Sequence, residues 1–288
     1  MRIDISDIRR TGQRYVLFLG CVAILAVSCA PGRIATLKSG ETAGKRASAE
    51  ALSWYRKGCY ERALEYFMRA YELFSLADAR AGVAMTLNHM GTVYRVLGRY
   101  EEALKACEEA HGLYQGLNDP EGSAEALSNK AAALIEQGRL KRAEAVLQYA
   151  GSFTSGLLTG VSAGVLQNRA VLLARKGLFQ EAERLVRTAL RQSRELAPAK
   201  AASLNFFLGH LMLETNRPET AVEALKTALA LDKQARFSPG VAQDLSALAG
   251  AQQRLGRYAE AVKLWKRAVK MFVLMGLADN VNRSMAEL

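Results

Sequence analysis

The chain has 288 residues, is 50% hydrophobic and contains only five prolines, so it can form a packed core and is neither disordered nor collagen-like. Aromatic residues make up only 7%, and alanine outnumbers every β-favouring residue type, which favours closely packed helices over sheets. The formal net charge of +11 favours acidic partners or anionic membrane surfaces, but the basic residues are too evenly spread to indicate a nucleic-acid-binding protein.

The first 28 residues have the pattern of a signal peptide. Four arginines precede an apolar run from Tyr15 to Val27, and this run is shorter than the roughly 20 residues that a transmembrane helix needs. The run leads directly into the segment Leu-Ala-Val-Ser-Cys, which ends at Cys29. We therefore predict cleavage before Cys29.

That segment resembles the lipobox of bacterial lipoproteins. The resemblance implies that Cys29 carries the lipid, and Ala30 after it favours the outer membrane. Several buried acyl chains would make such anchoring effectively permanent. An ordinary secreted protein with an incidental Cys29, or an uncleaved anchor, are the alternatives. Residues 29–42, which include Pro31 and Gly40, are predicted to form a flexible tether.

Two cysteines remain in the predicted mature protein, in a compartment that should be oxidising. Cys59 falls in a predicted turn and Cys107 on a predicted buried helical face, so a disulfide between them is disfavoured. We interpret both as small hydrophobic thiols without a metal-binding neighbourhood.

Six short segments recur at spacings of 39 or 40 residues. Each begins with glycine, or once asparagine, and has alanine five positions later, which is typical of a turn between two helices. The segments begin at Gly58, Gly98, Gly138, Gly177, Asn216 and Gly256.

Further positions repeat in register with these turns. A second alanine follows the first by seven residues, and a larger residue stands between the two, so both alanines share one helical face. The second alanines are Ala70, Ala110, Ala150, Ala189, Ala228 and Ala268, and the larger residues are Phe67, Cys107, Leu147, Val186, Leu225 and Trp265. Another small residue precedes each turn by seven positions, for example Ala51 and Gly91. We expect the two helices of each pair to cross at these small positions.

This pattern resembles the tetratricopeptide repeat, in a variety with longer helices. The resemblance implies an all-α, right-handed superhelical solenoid over residues 43–288, with six helix pairs and a capping helix at 277–286. The predicted pairs are 43–57 with 60–74, 79–97 with 100–116, 120–137 with 140–154, 160–176 with 179–195, 198–215 with 218–231, and 239–255 with 258–274. Prolines 120, 198, 218 and 239 fall where helices should begin.

The sequence contains no recognisable catalytic motif. Its three histidines are isolated, and no zinc-protease, nucleophile-elbow, phosphate-loop or dinucleotide pattern occurs. We therefore expect a protein that is not an enzyme, with no cofactor, no metal site, no small-molecule substrate and no nucleic acid partner.

In the resembled family, the first helices line a concave wall that commonly binds a peptide or a partner helix. On that wall an asparagine amide can both donate to and accept from a peptide backbone, and an arginine can bind a carboxylate. The candidate partner-binding residues are Asn88, Arg95, Asn129, Asn168, Arg175, His210 and Arg254. For each residue, a solvated side chain or a bond within the solenoid is the alternative.

The combined hypothesis is a lipid-anchored periplasmic scaffold that binds a partner protein or peptide. Resemblance to other repeat lipoproteins suggests assembly of a pilus or secretion pore, or polysaccharide export. A cytoplasmic peptide sensor with the same fold is the main alternative. An envelope enzyme or glycan-binding protein has less support, because few aromatic residues lie on the predicted first helices.

Overall fold

The computed structural model describes residues 31–154, 160–192 and 196–286, which form helices joined by short turns. The predicted signal peptide, Cys29 and Ala30 lie outside these ranges. No helix within them is both long enough and apolar enough to cross a membrane.

Thirteen helices make up the described part of the chain, arranged as six antiparallel pairs and one short terminal helix. The pairs are α1 (Pro31–Lys57) with α2 (Tyr60–Leu76), α3 (Arg80–Val96) with α4 (Tyr100–Gly116), α5 (Pro120–Glu136) with α6 (Leu140–Phe153), α7 (Gly160–Arg175) with α8 (Phe179–Gln192), α9 (Pro198–Glu214) with α10 (Pro218–Ala235), and α11 (Ser238–Arg254) with α12 (Tyr258–Met275). Helix α13 (Ala278–Ala286) follows. The prediction of an all-α solenoid of six pairs and a capping helix is therefore confirmed.

The turns inside the pairs adopt the predicted left-handed backbone. All six turn residues have positive φ, from +55° at Asn216 to +81° at Gly58. A side chain is costly in this region, which explains why glycine recurs there and why asparagine is the one replacement. A second set of left-handed residues, which the repeat pattern did not reveal, joins one pair to the next at Asp78, Asn118, Arg236 and Gly276.

The small residues of the repeat lie at the contacts between helices. The repeated alanines are 0–1% exposed, and the larger residues between them are 0–4% exposed. A Cβ atom added to Gly91 would lie 2.5 Å from Sγ of Cys107, and one added to Gly209 would lie 2.6 Å from Cγ of Leu225. The first and second helices of a pair therefore cross at these positions, as the spacing predicted. Cys59 and Cys107 are both unpaired.

Helix α1 begins at Pro31, so the prediction of a flexible tether up to residue 42 is wrong over 31–42. Gly40, which suggested flexibility, and Gly44, just beyond the predicted tether, are both packing positions. A Cβ atom on Gly40 would lie 3.3 Å from Cβ of Ala77, and one on Gly44 would lie 2.8 Å from the ring of Phe74. Contact with α2 thus stabilises helix in a segment whose intrinsic helix propensity is low.

Each helix packs against the next along the chain, and each first helix also contacts the first helix of the following pair. The six first helices, α1, α3, α5, α7, α9 and α11, therefore form a continuous inner wall. The second helices lie outside it.

Candidate functional site

The inner wall closes on itself, because the first and last pairs are in contact. The rings of Tyr55 and Phe237 stack with centroids 5.8 Å apart and an interplanar angle of 23°. Gly58 packs against Met275 and Pro239, and Leu277 packs on the core around Ala51. We call this contact the seam, formed by Tyr55, Gly58, Phe237, Met275 and Leu277. It joins the two ends of the solenoid into a ring.

Two cavities lie in the interior of the ring. The first, which we call the amide cavity, has a volume of about 670 Å³ and lies between α1, α3, α5, α7, α9 and the α10–α11 turn. The second, which we call the arginine cavity, has a volume of about 840 Å³ and lies mainly between α9, α11, α12 and α13. Both volumes fall in the range of ordinary ligand sites.

The asparagines predicted to face a ligand link neighbouring first helices. Nδ2 of Asn129 donates to Oδ1 of the buried Asn88 at 2.9 Å. Nδ2 of Asn168 donates to the backbone oxygen of Ser128 at 2.9 Å and to its hydroxyl at 2.8 Å. Asn129 and Asn168 also line the amide cavity, whereas Asn88 lies behind Asn129. These bonds use part of each amide's capacity, since an amide offers two donors and two acceptor lone pairs.

A glutamine that was not predicted adds a further hydrogen bond between neighbouring first helices. Nε2 of Gln167 donates to the hydroxyl of Ser203 at 2.6 Å, which connects α7 to α9. Gln167, Ser128 and Ser203 all line the amide cavity. The sequence analysis did not single out these three residues, although Gln167 directly precedes Asn168.

Two basic side chains in the amide cavity differ in their pairing. Arg95, a predicted site residue, forms an ion pair with Glu136. Lys200, which the sequence analysis missed, has no carboxylate partner among the ion pairs of the described residues. Burial lowers the pKa of Lys200, and the nearby Glu125 partly opposes that shift.

Lys200 fits its site because the facing residue has no side chain. A Cβ atom on Gly164 would lie 3.0 Å from Nζ of Lys200, so any larger residue there would displace the ammonium group. A half-buried cation without an ion-pair partner in a cavity favours an anionic or strongly hydrogen-bonding ligand group. Lys200 is therefore a candidate ligand-binding residue.

The arginine cavity contains the other three predicted residues, Arg175, His210 and Arg254. A guanidinium nitrogen of Arg254 donates to the backbone oxygen of Leu213. His210 packs edge-on against Phe206 with ring centroids 4.5 Å apart, and burial lowers its pKa, which favours the neutral imidazole. Arg283 of α13 also lines this cavity.

The structure thus places the seven predicted residues in three settings. Arg95, Asn129 and Asn168 line the amide cavity, and Arg175, His210 and Arg254 line the arginine cavity. Asn88 supports Asn129 from behind. Within the described ranges, no group of three or more metal-ligating side chains comes together.

A family model described as tetratricopeptide repeat matches residues 82–150, 162–234 and 201–272, which together exceed half of the chain. The chain belongs to the tetratricopeptide repeat family. Members of this family are typically non-enzymatic, and this tetratricopeptide repeat protein is a scaffold for protein interaction. A comparison with curated protein sequences gives no match.

Several solved structures share the fold. A Rap protein complexed with competence and sporulation factor has 15% identity and a TM-score of 0.62, covering 84% of this chain and 72% of its own. BtubC from P. vanneervenii has 19% identity and a TM-score of 0.55, covering 81% of this chain and 92% of its own. A thermophilic tetratricopeptide repeat protein from Thermus thermophilus has 24% identity and a TM-score of 0.54, covering 70% of this chain and 97% of its own.

Proposed function

We propose that this tetratricopeptide repeat protein is a lipid-anchored periplasmic scaffold that holds an extended segment of a partner protein inside its ring. The observation that carries the proposal is the amide cavity, where polar side chains from α5, α7 and α9 line one shared cavity. The partner is a protein or peptide, and no cofactor or metal takes part.

The chemistry of the amide cavity suits an extended backbone. Three amide side chains line the cavity from the neighbouring helices α5 and α7, namely Asn129, Gln167 and Asn168. Each donates one or two hydrogen bonds to a neighbouring first helix and retains further donors or acceptors for a ligand. An extended peptide presents alternating backbone donors and acceptors, and such a row of amides can bond to them with little dependence on the peptide's side chains. Lys200 adds a cation for a carboxylate of the ligand.

The arginine cavity offers a second contact for a longer segment. Arg175 and Arg254 would bind acidic side chains of the partner, while His210 and Phe206 provide an apolar surface beside them. A segment that entered both cavities would run along the inner wall past the C-terminal ends of the first helices.

Binding inside the ring is tested by crosslinking in intact cells, followed by purification of the tagged protein. The Asn129→Ala, Gln167→Ala double variant should recover the partner in strongly reduced yield. Gln148→Ala is the matched control, because Gln148 is exposed on the outer helix α6, and it should recover the partner as the wild type does. Equal recovery by the double variant would show that the partner binds elsewhere.

Cys29→Ser tests the anchor separately. The lipobox resemblance predicts that this variant leaves the membrane fraction while the solenoid remains folded. Cys59→Ser is the control, because Cys59 is a half-buried thiol in the first turn, and it should remain membrane-bound. A Cys29→Ser protein that stays in the membrane fraction would contradict lipid anchoring.

The envelope context of the scaffold is assembly of a pilus or secretion pore, or polysaccharide export. A cytoplasmic peptide sensor is the second candidate, which the similarity to the Rap protein complexed with competence and sporulation factor favours. Localisation of a C-terminally tagged protein separates the two. A periplasmic location supports the scaffold, and a cytoplasmic location supports the sensor.

A further inference from the structure

The outer face of α12 carries an unusual row of cations. Lys263, Lys266, Arg267 and Lys270 are all exposed, and none takes part in an ion pair among the described residues. Spacings of three and four residues place them on one side of the helix. We call this row the basic stripe.

The basic stripe continues into exposed aliphatic side chains. Val273 is 58% exposed and Leu274 is 76% exposed, and both follow Lys270 by three or four residues on the same side of the helix. The opposite side of α12, with Trp265 and Phe272, is buried in the core. The exposed side therefore combines four cations with two aliphatic side chains. None of these six side chains is buried in the core of the ring.

The corresponding face of another outer helix is different. Helix α4 carries four glutamates, and three of them are paired, Glu101 with Arg139, Glu102 with Arg99 and Glu108 with Lys130. In α12, Glu260 is the single acidic residue. The outer face of α12 thus carries a positive charge that no ion pair among the described residues neutralises.

We infer that the exposed face of α12 binds the surface of an anionic bilayer. Lysine and arginine side chains attract lipid phosphates, and adjacent aliphatic side chains enter the boundary between headgroups and acyl chains. A nucleic acid would also attract the cations, but it offers no environment for Val273 and Leu274. This inference does not depend on the peptide site, because the basic stripe lies on the outside of the ring.

Vesicle co-sedimentation of the predicted mature chain, residues 29–288, tests the inference. All proteins carry Cys29→Ser, which removes the predicted lipid, and the vesicles are phosphatidylglycerol with phosphatidylethanolamine or phosphatidylcholine alone. The Lys266→Glu, Lys270→Glu variant should bind the anionic vesicles about tenfold or more weakly than its parent. Added salt should weaken binding of the parent protein.

The matched control also reverses the charge of two lysines, at positions outside the basic stripe. Lys105→Glu, Lys141→Glu reverses two exposed lysines on α4 and α6, and it should bind within about twofold of the parent. Leu274→Ser should weaken binding while leaving its salt dependence unchanged.

Three results would overturn the inference. The first is equal binding by the two charge-reversal variants, which would indicate a response to net charge alone. The second is equal binding of the parent to both kinds of vesicle. The third is a dimer in light scattering that the Lys266→Glu, Lys270→Glu variant loses while vesicle binding is unchanged, which would assign the stripe to a second copy of the chain.

Discussion

The carboxyl groups of Asp232 and Asp244 are both buried between α10 and α11, where they interact electrostatically, and both oxygens of Asp244 lack a hydrogen-bond partner among the described residues. Loss of solvent, and the neighbouring Asp232, raise the pKa of Asp244 to about 8. Loss of solvent raises the pKa of Asp232 to about 6. A Cβ atom on Gly240 would lie 1.8 Å from Oδ2 of Asp232, so the pair also requires glycine at this position.

This pair predicts that the protein loses stability as the pH rises from about 4 to about 8. The folded state holds protons that the unfolded chain releases near pH 4, so the unfolding free energy decreases as the folded-state groups ionise. Urea unfolding at pH 5 and pH 8.5 measures the difference, and we expect a decrease of at least about 1 kcal/mol. Asp244→Asn should reduce the difference to the part that Asp232 contributes, whereas Asp279→Asn, at an exposed position on α13, should behave as the wild type. An unchanged pH dependence in Asp244→Asn would contradict the assignment.

Gly91 and Gly112 predict opposite effects of the same substitution. Gly91→Ala places a methyl group against Sγ of Cys107 and should destabilise the protein by about 1–3 kcal/mol. Gly112 lies inside α4 with no atom within 4 Å of an added Cβ, so Gly112→Ala should stabilise it by about 0.5–1 kcal/mol. Denaturant unfolding measures both effects. Adding Cys107→Ala to Gly91→Ala should recover part of the loss, and no recovery would argue against the contact.

The stacked rings of the seam should contribute measurably to stability. A double-mutant cycle with Tyr55→Ala and Phe237→Ala should give a coupling energy of about 0.5–1.5 kcal/mol in denaturant unfolding. Tyr258 is 66% exposed on α12, so Tyr258→Ala combined with Phe237→Ala should give no coupling. Equal results for the two cycles would mean that the ring is open in solution.

The two thiols of the solenoid should react at different rates. Cys107 is 1% exposed, and burial raises the pKa of its thiol to about 12, so little thiolate is available to an alkylating reagent. Cys59 is only half-buried. Mass spectrometry after brief iodoacetamide treatment should find Cys59 modified and Cys107 unmodified until denaturant is added. Early modification of Cys107 would contradict its buried position.

The features of the fold that are determined by residues close together in the sequence could be predicted well. The left-handed turns, the small residues at helix crossings and the first-turn prolines each follow from a local steric rule, and the structure agrees with all three. The N-terminal half of α1 could not be predicted this way, because its stability comes from packing of Gly44 on Phe74 rather than from helix propensity.

The site was predicted only in part for a related reason. The first-helix register identified the face to which Asn129, Asn168 and Arg175 belong, but it could not show which of them form bonds inside the protein. Lys200 stands in the first turn after Pro198, where a lysine is usually solvated, and packing against Gly164 of the neighbouring first helix α7 half-buries it. The seam itself depends on small rotations accumulated over six pairs, which no local pattern records.

The closure of the ring should change the order in which parts of the protein unfold. In an open row of repeats, the terminal hairpins have a neighbour on one side only, so they fray first and their amides exchange rapidly with solvent. Here each end protects the other, because Phe237 and Met275 pack on Tyr55 and Gly58. Deletion of α12 and α13 should therefore accelerate hydrogen exchange in α1 at the opposite terminus, through a coupling that spans nearly the whole length of the chain.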